Sequence, residues 1–107
     1  MRIKIKPLSV NGAWAGRRFK TPAYKAFEEE FCLKIKKEEV PKGRLFVRLQ
    51  FGFSNKASDI DNGVKPTLDC LQKKLGFNDK NIYLMEVEKD IVPKGSEYID
   101  YEISALD

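Results

Sequence analysis

Apolar and polar residues alternate at the start of the chain, in Arg2, Ile3, Lys4, Ile5 and Lys6. Period two predicts a strand over residues 2–6 with the isoleucines inward. The outward cations suit an exposed face or a sheet edge. Residues 7–20 break the pattern with Pro7, Asn11-Gly12 and Gly16 and read as a loop that carries Trp14, Arg17, Arg18, Phe19 and Lys20. Thr21-Pro22 has the form of an N-cap followed by proline at the first helical position. Tyr24, Phe27, Phe31 and Ile35 then recur at helical spacing, which predicts an amphipathic helix over 22–39, ended by Pro41-Lys42-Gly43. The clearest strand spans 44–53, with Leu45, Val47, Leu49, Phe51 and Phe53 on one face and Arg44, Phe46, Arg48 and Gln50 on the other. A second helix is expected from about Asn62 to Lys74, its stripe Val64, Leu68, Leu71 and Leu75, its stop Gly76. Pro66 fits only in or next to the first turn, where amide donors are unpaired anyway. After a turn at Asn78-Asp79, strands are expected over 81–91 and 97–104, joined through Pro93-Lys94-Gly95-Ser96 by a hairpin or a wide connection. The expected fold is α/β (α+β): one domain over residues 1–107, a small mixed sheet and two amphipathic helices in the order β-loop-α-β-α-β-β.

Charge changes this picture more than composition does. The net charge is only +4, yet residues 1–27 hold Arg2, Lys4, Lys6, Arg17, Arg18, Lys20 and Lys25 and no acid. A basic segment on a mildly acidic body points to a polyanionic partner, most simply nucleic acid; the plainer alternative is a solvated basic surface. The chain has no histidine, so no mechanism here uses an imidazole base, nucleophile or metal ligand. Carboxylates and lysines must carry any catalysis. Cys32 and Cys70 have no metal-type spacing and read as reduced, packed thiols. No apolar run approaches the roughly 18 residues of a membrane helix, and no apolar stretch follows Met1 as in a signal peptide. A cytoplasmic protein is expected.

The candidate chemistry lies in Asp59-Ile60-Asp61-Asn62-Gly63-Val64-Lys65. In an extended segment, acids at i and i+2 point to the same side. Such a pair repels unless a cation neutralises it, and Mg²⁺ favours one or two carboxylates while keeping waters for a substrate phosphate. Asp79 would join them if the chain turns back after the helix, and Lys65, one turn beyond Asp61, reaches the same mouth. Plainer roles exist for each residue. Asp61 or Asn62 would serve as an N-cap, Asp61–Lys65 and Lys65–Asp69 as surface pairs, and Asp79 as a turn former. Glu86 and Glu88, alternating on a strand, read as solvated.

The order D-x-D-N-x-x-K, a short amphipathic helix, then an Asp in a turn before a strand resembles the RusA family of Holliday junction resolvases. Pro7-Leu8-Ser9-Val10-Asn11 with Trp14 and Arg17-Arg18-Phe19-Lys20-Thr21 is similar to that family's N-terminal segment, particularly in its phage-borne members. The resemblance covers most of the chain and implies a homodimeric, Mg²⁺-dependent endonuclease that nicks four-way DNA junctions, working in the cytoplasm of a bacterial host cell. By it, Asp59, Asp61 and Asp79 are the catalytic and metal-binding acids and Lys65 the essential basic position, with Mn²⁺ able to substitute for Mg²⁺. Gly63 departs from the pattern as a weak helix former. Trp14, Arg17, Arg18, Lys20 and Lys56 are the expected DNA contacts, the aromatic residues Trp14 and Phe19 either stacking on exposed bases or covering the core. The competing expectation is a non-catalytic nucleic-acid-binding module of the same fold.

Overall fold

The structure, a computed structural model, describes residues 1–8, 14–15 and 19–106, without the side chains of 14–15 and 19–20. Its strands are β1 (Arg2–Lys4), β2 (Trp14–Ala15), β3 (Phe19–Lys20), β4 (Leu45–Phe53), β5 (Ile82–Ile91) and β6 (Tyr98–Ala105). Its helices are α1 (Pro22–Lys34) and α2 (Val64–Leu75), with a 3₁₀ turn at Asp79–Asn81. Four strands form a mixed sheet in the order β1-β6-β4-β5, and β2 and β3 form a separate two-stranded ribbon. The fold is the small α+β arrangement expected, with this ribbon added inside the predicted loop.

β4 is central because it satisfies both faces at once. Leu45, Val47, Leu49, Phe51 and Phe53 are all buried, while Arg48 on the alternate side is exposed. The strand pairs antiparallel with β6 and parallel with β5, Leu45 opposite Ile82 and Phe53 opposite Ile91. Parallel neighbours need a crossover, and α2 supplies it. The connection through Pro93–Ser96 is therefore the wide alternative, since β4 lies between β5 and β6. β1 sits at the other sheet edge with Ile3 and Ile5 buried and Arg2 and Lys4 exposed.

α1 begins as its sequence dictates. The Thr21 hydroxyl accepts from the Tyr24 N–H (3.1 Å), and Pro22 follows at the first helical position. Tyr24, Phe27 and Phe31 are buried, and the two phenylalanine rings lie 5.3 Å apart. The helix stops at Lys34 rather than 39. Ile35 turns into extended backbone and still reaches the core, and the following Lys-Lys-Glu-Glu offers no apolar face to keep a helix on the sheet.

α2 is rotated from the predicted stripe. Pro66, Thr67, Cys70 and Leu71 are its buried residues, and Val64, Leu68 and Leu75 are only half-covered. Small side chains let this helix lie close to its neighbours, which turns the larger aliphatics toward its flank. Gly76 ends it in the left-handed conformation at φ 78°.

Burial pushes the Cys70 thiol up to about 12, the neighbouring Cys32 adding to the effect. Burial likewise pushes the Tyr101 hydroxyl up to about 12 and raises Tyr24 further, helped by the Asp69 charge. These groups ionise in the unfolded chain before they do so in the fold. Their share of stability is therefore intact below about pH 9 and is lost as pH rises toward 12. Urea midpoints should fall steadily across that window; a flat midpoint would contradict these burials.

Candidate functional site

The loop after β4 carries the acidic pair. Asn55 shapes its start by accepting the Ala57 N–H through its side-chain oxygen (2.8 Å). Two consecutive turns follow: the Asn62 N–H donates to the Asp59 carbonyl and the Val64 N–H to the Asp61 carbonyl, each at 3.1 Å. The segment is thus coiled rather than extended, so period two does not set its two carboxylates on one side. Asp59 and Asp61 are both exposed. Neither is the side-chain cap of α2, whose N-cap is Gly63 with no side-chain hydrogen bond.

Gly63 has a packing reason. A Cβ there would lie 3.0 Å from the Phe51 ring. The chain is drawn against the end of β4 at this point, which sets where the acidic loop meets the sheet. From β5, the Lys89 ammonium donates to the Ser58 carbonyl (2.8 Å) and fastens the same loop. No sequence signal marks Lys89, whose role is seen only once β5 is known to run parallel beside β4.

Lys65 projects from the first turn of α2 and is exposed. Its ammonium lies 3.6 Å from Asp69, not at Asp61. Asp69 in turn accepts from the buried Tyr24 hydroxyl of α1 at 3.1 Å. The lysine is therefore positioned by a chain of contacts that reaches the core, and Tyr24 and Asp69 join the candidate site as positioning residues. The i,i+4 spacing of Lys65 and Asp69 was the available signal.

Asp79 is elsewhere. It opens the 3₁₀ turn at the far end of α2, its N–H donating to the Gln72 side chain (2.8 Å). A twelve-residue helix rises about 18 Å, and Asp79 stands three residues before Ile82, opposite the start of β4. One chain does not bring Asp79 to Asp59 and Asp61. Among the described residues, no group of three or more acids or cysteines is placed to hold a metal ion. The exposed oxygens of Asp59 and Asp61 suit a hydrated Mg²⁺ held by one or two carboxylates; they do not make a three-carboxylate site by themselves.

Lys56 is exposed in the acidic loop. Arg17 and Arg18 lie outside the described residues, as do the side chains of Trp14, Phe19 and Lys20. A half-open cleft adjoins the loop, lined by Ser58, Asn62, Lys6, Lys94, Glu30 and Glu97 among others. Hydrogen bonds from its own backbone N–H, from Ser54 and from Gly95 hold the Glu97 carboxyl below the usual range. The opposite, uncovered sheet face carries Glu86, Glu88, Asp100 and Glu102, partly offset by Arg48 and Arg2, which pair with Glu86 (3.2 Å) and Asp100 (3.3 Å).

Among the described residues no helix is long and apolar enough to cross a membrane. No protein-family model matches the chain, and no curated protein matches it.

Proposed function

We propose that the chain is a structure-selective, Mg²⁺-dependent endodeoxyribonuclease acting on four-way DNA junctions as a homodimer. The observation that carries this reading is the exposed Asp59 and Asp61, which make no ion pair among the described residues, in the turns that lead into α2, whose first turn carries a Lys65 paired with the Asp69 that Tyr24 holds. Unpaired acids repel a phosphate backbone and serve a DNA-binding protein only if a cation sits between them and the DNA. A bound Mg²⁺ would lower the pKa of a water and neutralise charge at the phosphorus.

The protein's own groups have separate tasks. Asp59 and Asp61 would hold the ion. Lys65 places a point charge beside the scissile phosphate, where negative charge develops. Asp69, 3.6 Å away, orients that ammonium. The basic N-terminal segment, with Lys56, would grip the backbone, where most affinity originates. The acidic open sheet face turns DNA away, which leaves the loop end of the sheet as the approach. A dimer fits the task, since resolving a junction takes two nicks related by two-fold symmetry.

The test is incubation with a synthetic four-way junction and a matched linear duplex, with and without Mg²⁺. Cutting of the junction alone, and only with metal, is the expected result; equal cutting of both substrates, or of neither, removes the reading. Replacing Arg17 and Arg18 together by alanine should weaken junction binding and reduce its salt slope by about one unit for each phosphate these arginines neutralise. An unchanged slope would place these arginines away from DNA.

A further inference from the structure

We propose that the half-open cleft beside the acidic loop receives one unpaired nucleobase of the bound DNA, an inference that rests on the nuclease reading and adds to it a source of junction selectivity. The cleft lies between residues 5–8, α1 and the loop after β4, and holds about 680 Å³, within the roughly 300–1,000 Å³ of small-ligand sites. Ser58 and Asn62 line it, and they directly precede Asp59 and directly follow Asp61. Whatever fills the cleft therefore lies next to the acidic pair. Phe27 of α1 and Phe53 at the end of β4 line its apolar part. Ala23 and Ala26, both exposed, border it from α1, and their small side chains leave room that larger residues would take.

The charges select the occupant. Lys6 and Lys94 are balanced in the cleft by Glu30 and Glu97. Glu97 is a fixed acceptor, one carboxylate oxygen taking the Ser54 hydroxyl and the other the Gly95 N–H, each at 2.8 Å. Two cations against two acids leave no net charge with which to hold a phosphate. An uncharged ring fits instead, its face stacking on phenylalanine and its polar edge meeting the amides, hydroxyls and charged groups. That is the chemistry of a nucleobase. In a nucleotide only the sugar separates base from phosphate, so a base seated against Ser58 and Asn62 brings its own phosphate to the loop that carries Asp59 and Asp61. Drawing a base out of a paired stack is costly, and least so where the base is already unpaired. A branch point offers such bases and an intact linear duplex does not. The cleft thereby makes cutting conditional on DNA structure, a task that the acids and Lys65 do not perform.

The probe is a four-way junction carrying 2-aminopurine, a base that brightens on leaving the stack, at each position around the branch point in turn. Bound to the full chain in EDTA, one position in a strand should brighten, and the cut made in Mg²⁺ should fall beside it. The same base in a linear duplex should stay dark. Ala26→Trp fills the cleft from α1 without altering the acids or Lys65. It should abolish the brightening and weaken junction binding by about tenfold, the worth of one stacked base. The Mg²⁺-induced rise in melting temperature should be unchanged. If Ala26→Trp fails to fold, Ala23→Leu, a helix-compatible change on the same wall, decides alone. No brightening in the wild type, brightening spread over all positions, or brightening that survives in the filled variant overturns the base site. Wild-type cleavage is scored alongside. Cutting without localised brightening overturns the base site and spares the nuclease reading. Localised brightening that the filled variant loses, with no cutting in Mg²⁺, sustains the base site and removes the nuclease reading.

Discussion

Asp61→Asn should reduce Mg²⁺-dependent junction cleavage by more than about a hundredfold, because even the outer partners of a bound metal are worth about 10–100-fold. Junction binding in EDTA should persist or tighten. The substitution removes one negative charge near phosphate and leaves the fold alone: the Asp61 side chain is exposed, and its structural contact is a backbone carbonyl that accepts from Val64. The same variant should lose most of the Mg²⁺-induced rise in melting temperature, since an ion that binds only the native state stabilises it by mass action. Junction gel shifts and thermal scans read the two effects separately. Cutting at the wild-type rate would reduce Asp61 to a turn residue and end the metal reading.

The largest expected loss of stability is at Phe51. Its ring is fully buried, stacks on Phe53 at 5.7 Å and lies against Gly63. Phe51→Ala should cost about 3–5 kcal/mol, a large part of the roughly 5–15 kcal/mol typical of a domain. In a chain of this size the melting temperature should fall by about 12 °C or more. Gly63→Ala tests the contact itself. In the wild type its new Cβ crowds the ring; in the Phe51→Ala background that crowding is gone and only the helix-favouring effect of alanine is left. The double-mutant cycle should therefore show coupling. Strict additivity would mean that Phe51 does not set the start of α2. Under the proposed nuclease reading the position bears on activity as well as stability, because Gly63 directly follows the acidic loop.

What could be read from the sequence was whatever a single element decides for itself. β4 has an unbroken period of two over Leu45, Val47, Leu49, Phe51 and Phe53, and every one of these residues is buried. The cap of α1 is written in Thr21-Pro22, and its apolar spacing locates the core face. The rotation of α2 was hidden because hydropathy ranks Leu68 above Thr67, whereas close packing prefers the smaller side chain beneath the helix. For the candidate site the sequence offered residue types but not their layout. A count of residues between Asp61 and Asp79 does not say whether the chain returns. Pairing decides that: β5 runs parallel to β4, so the crossover must end beside the start of β4, a full helix from where it began. Had the sequence declared the parallel pairing, the separation of Asp79 would have followed.

The strand order also governs when the sheet can assemble during synthesis. β4 has both of its partners, β5 and β6, later in the chain, and among the described residues β1 pairs only with β6, Ile3 opposite Ile99. Until β6 leaves the ribosome, β1 and β4 therefore present apolar faces with no common neighbour. Contacts this distant in sequence slow folding, because loop closure must precede any gain from pairing. β6 joins β1 to the centre of the sheet, so nascent chains of this protein stay open to aggregation until it emerges, and pauses in translation just before Tyr98 would lengthen that interval.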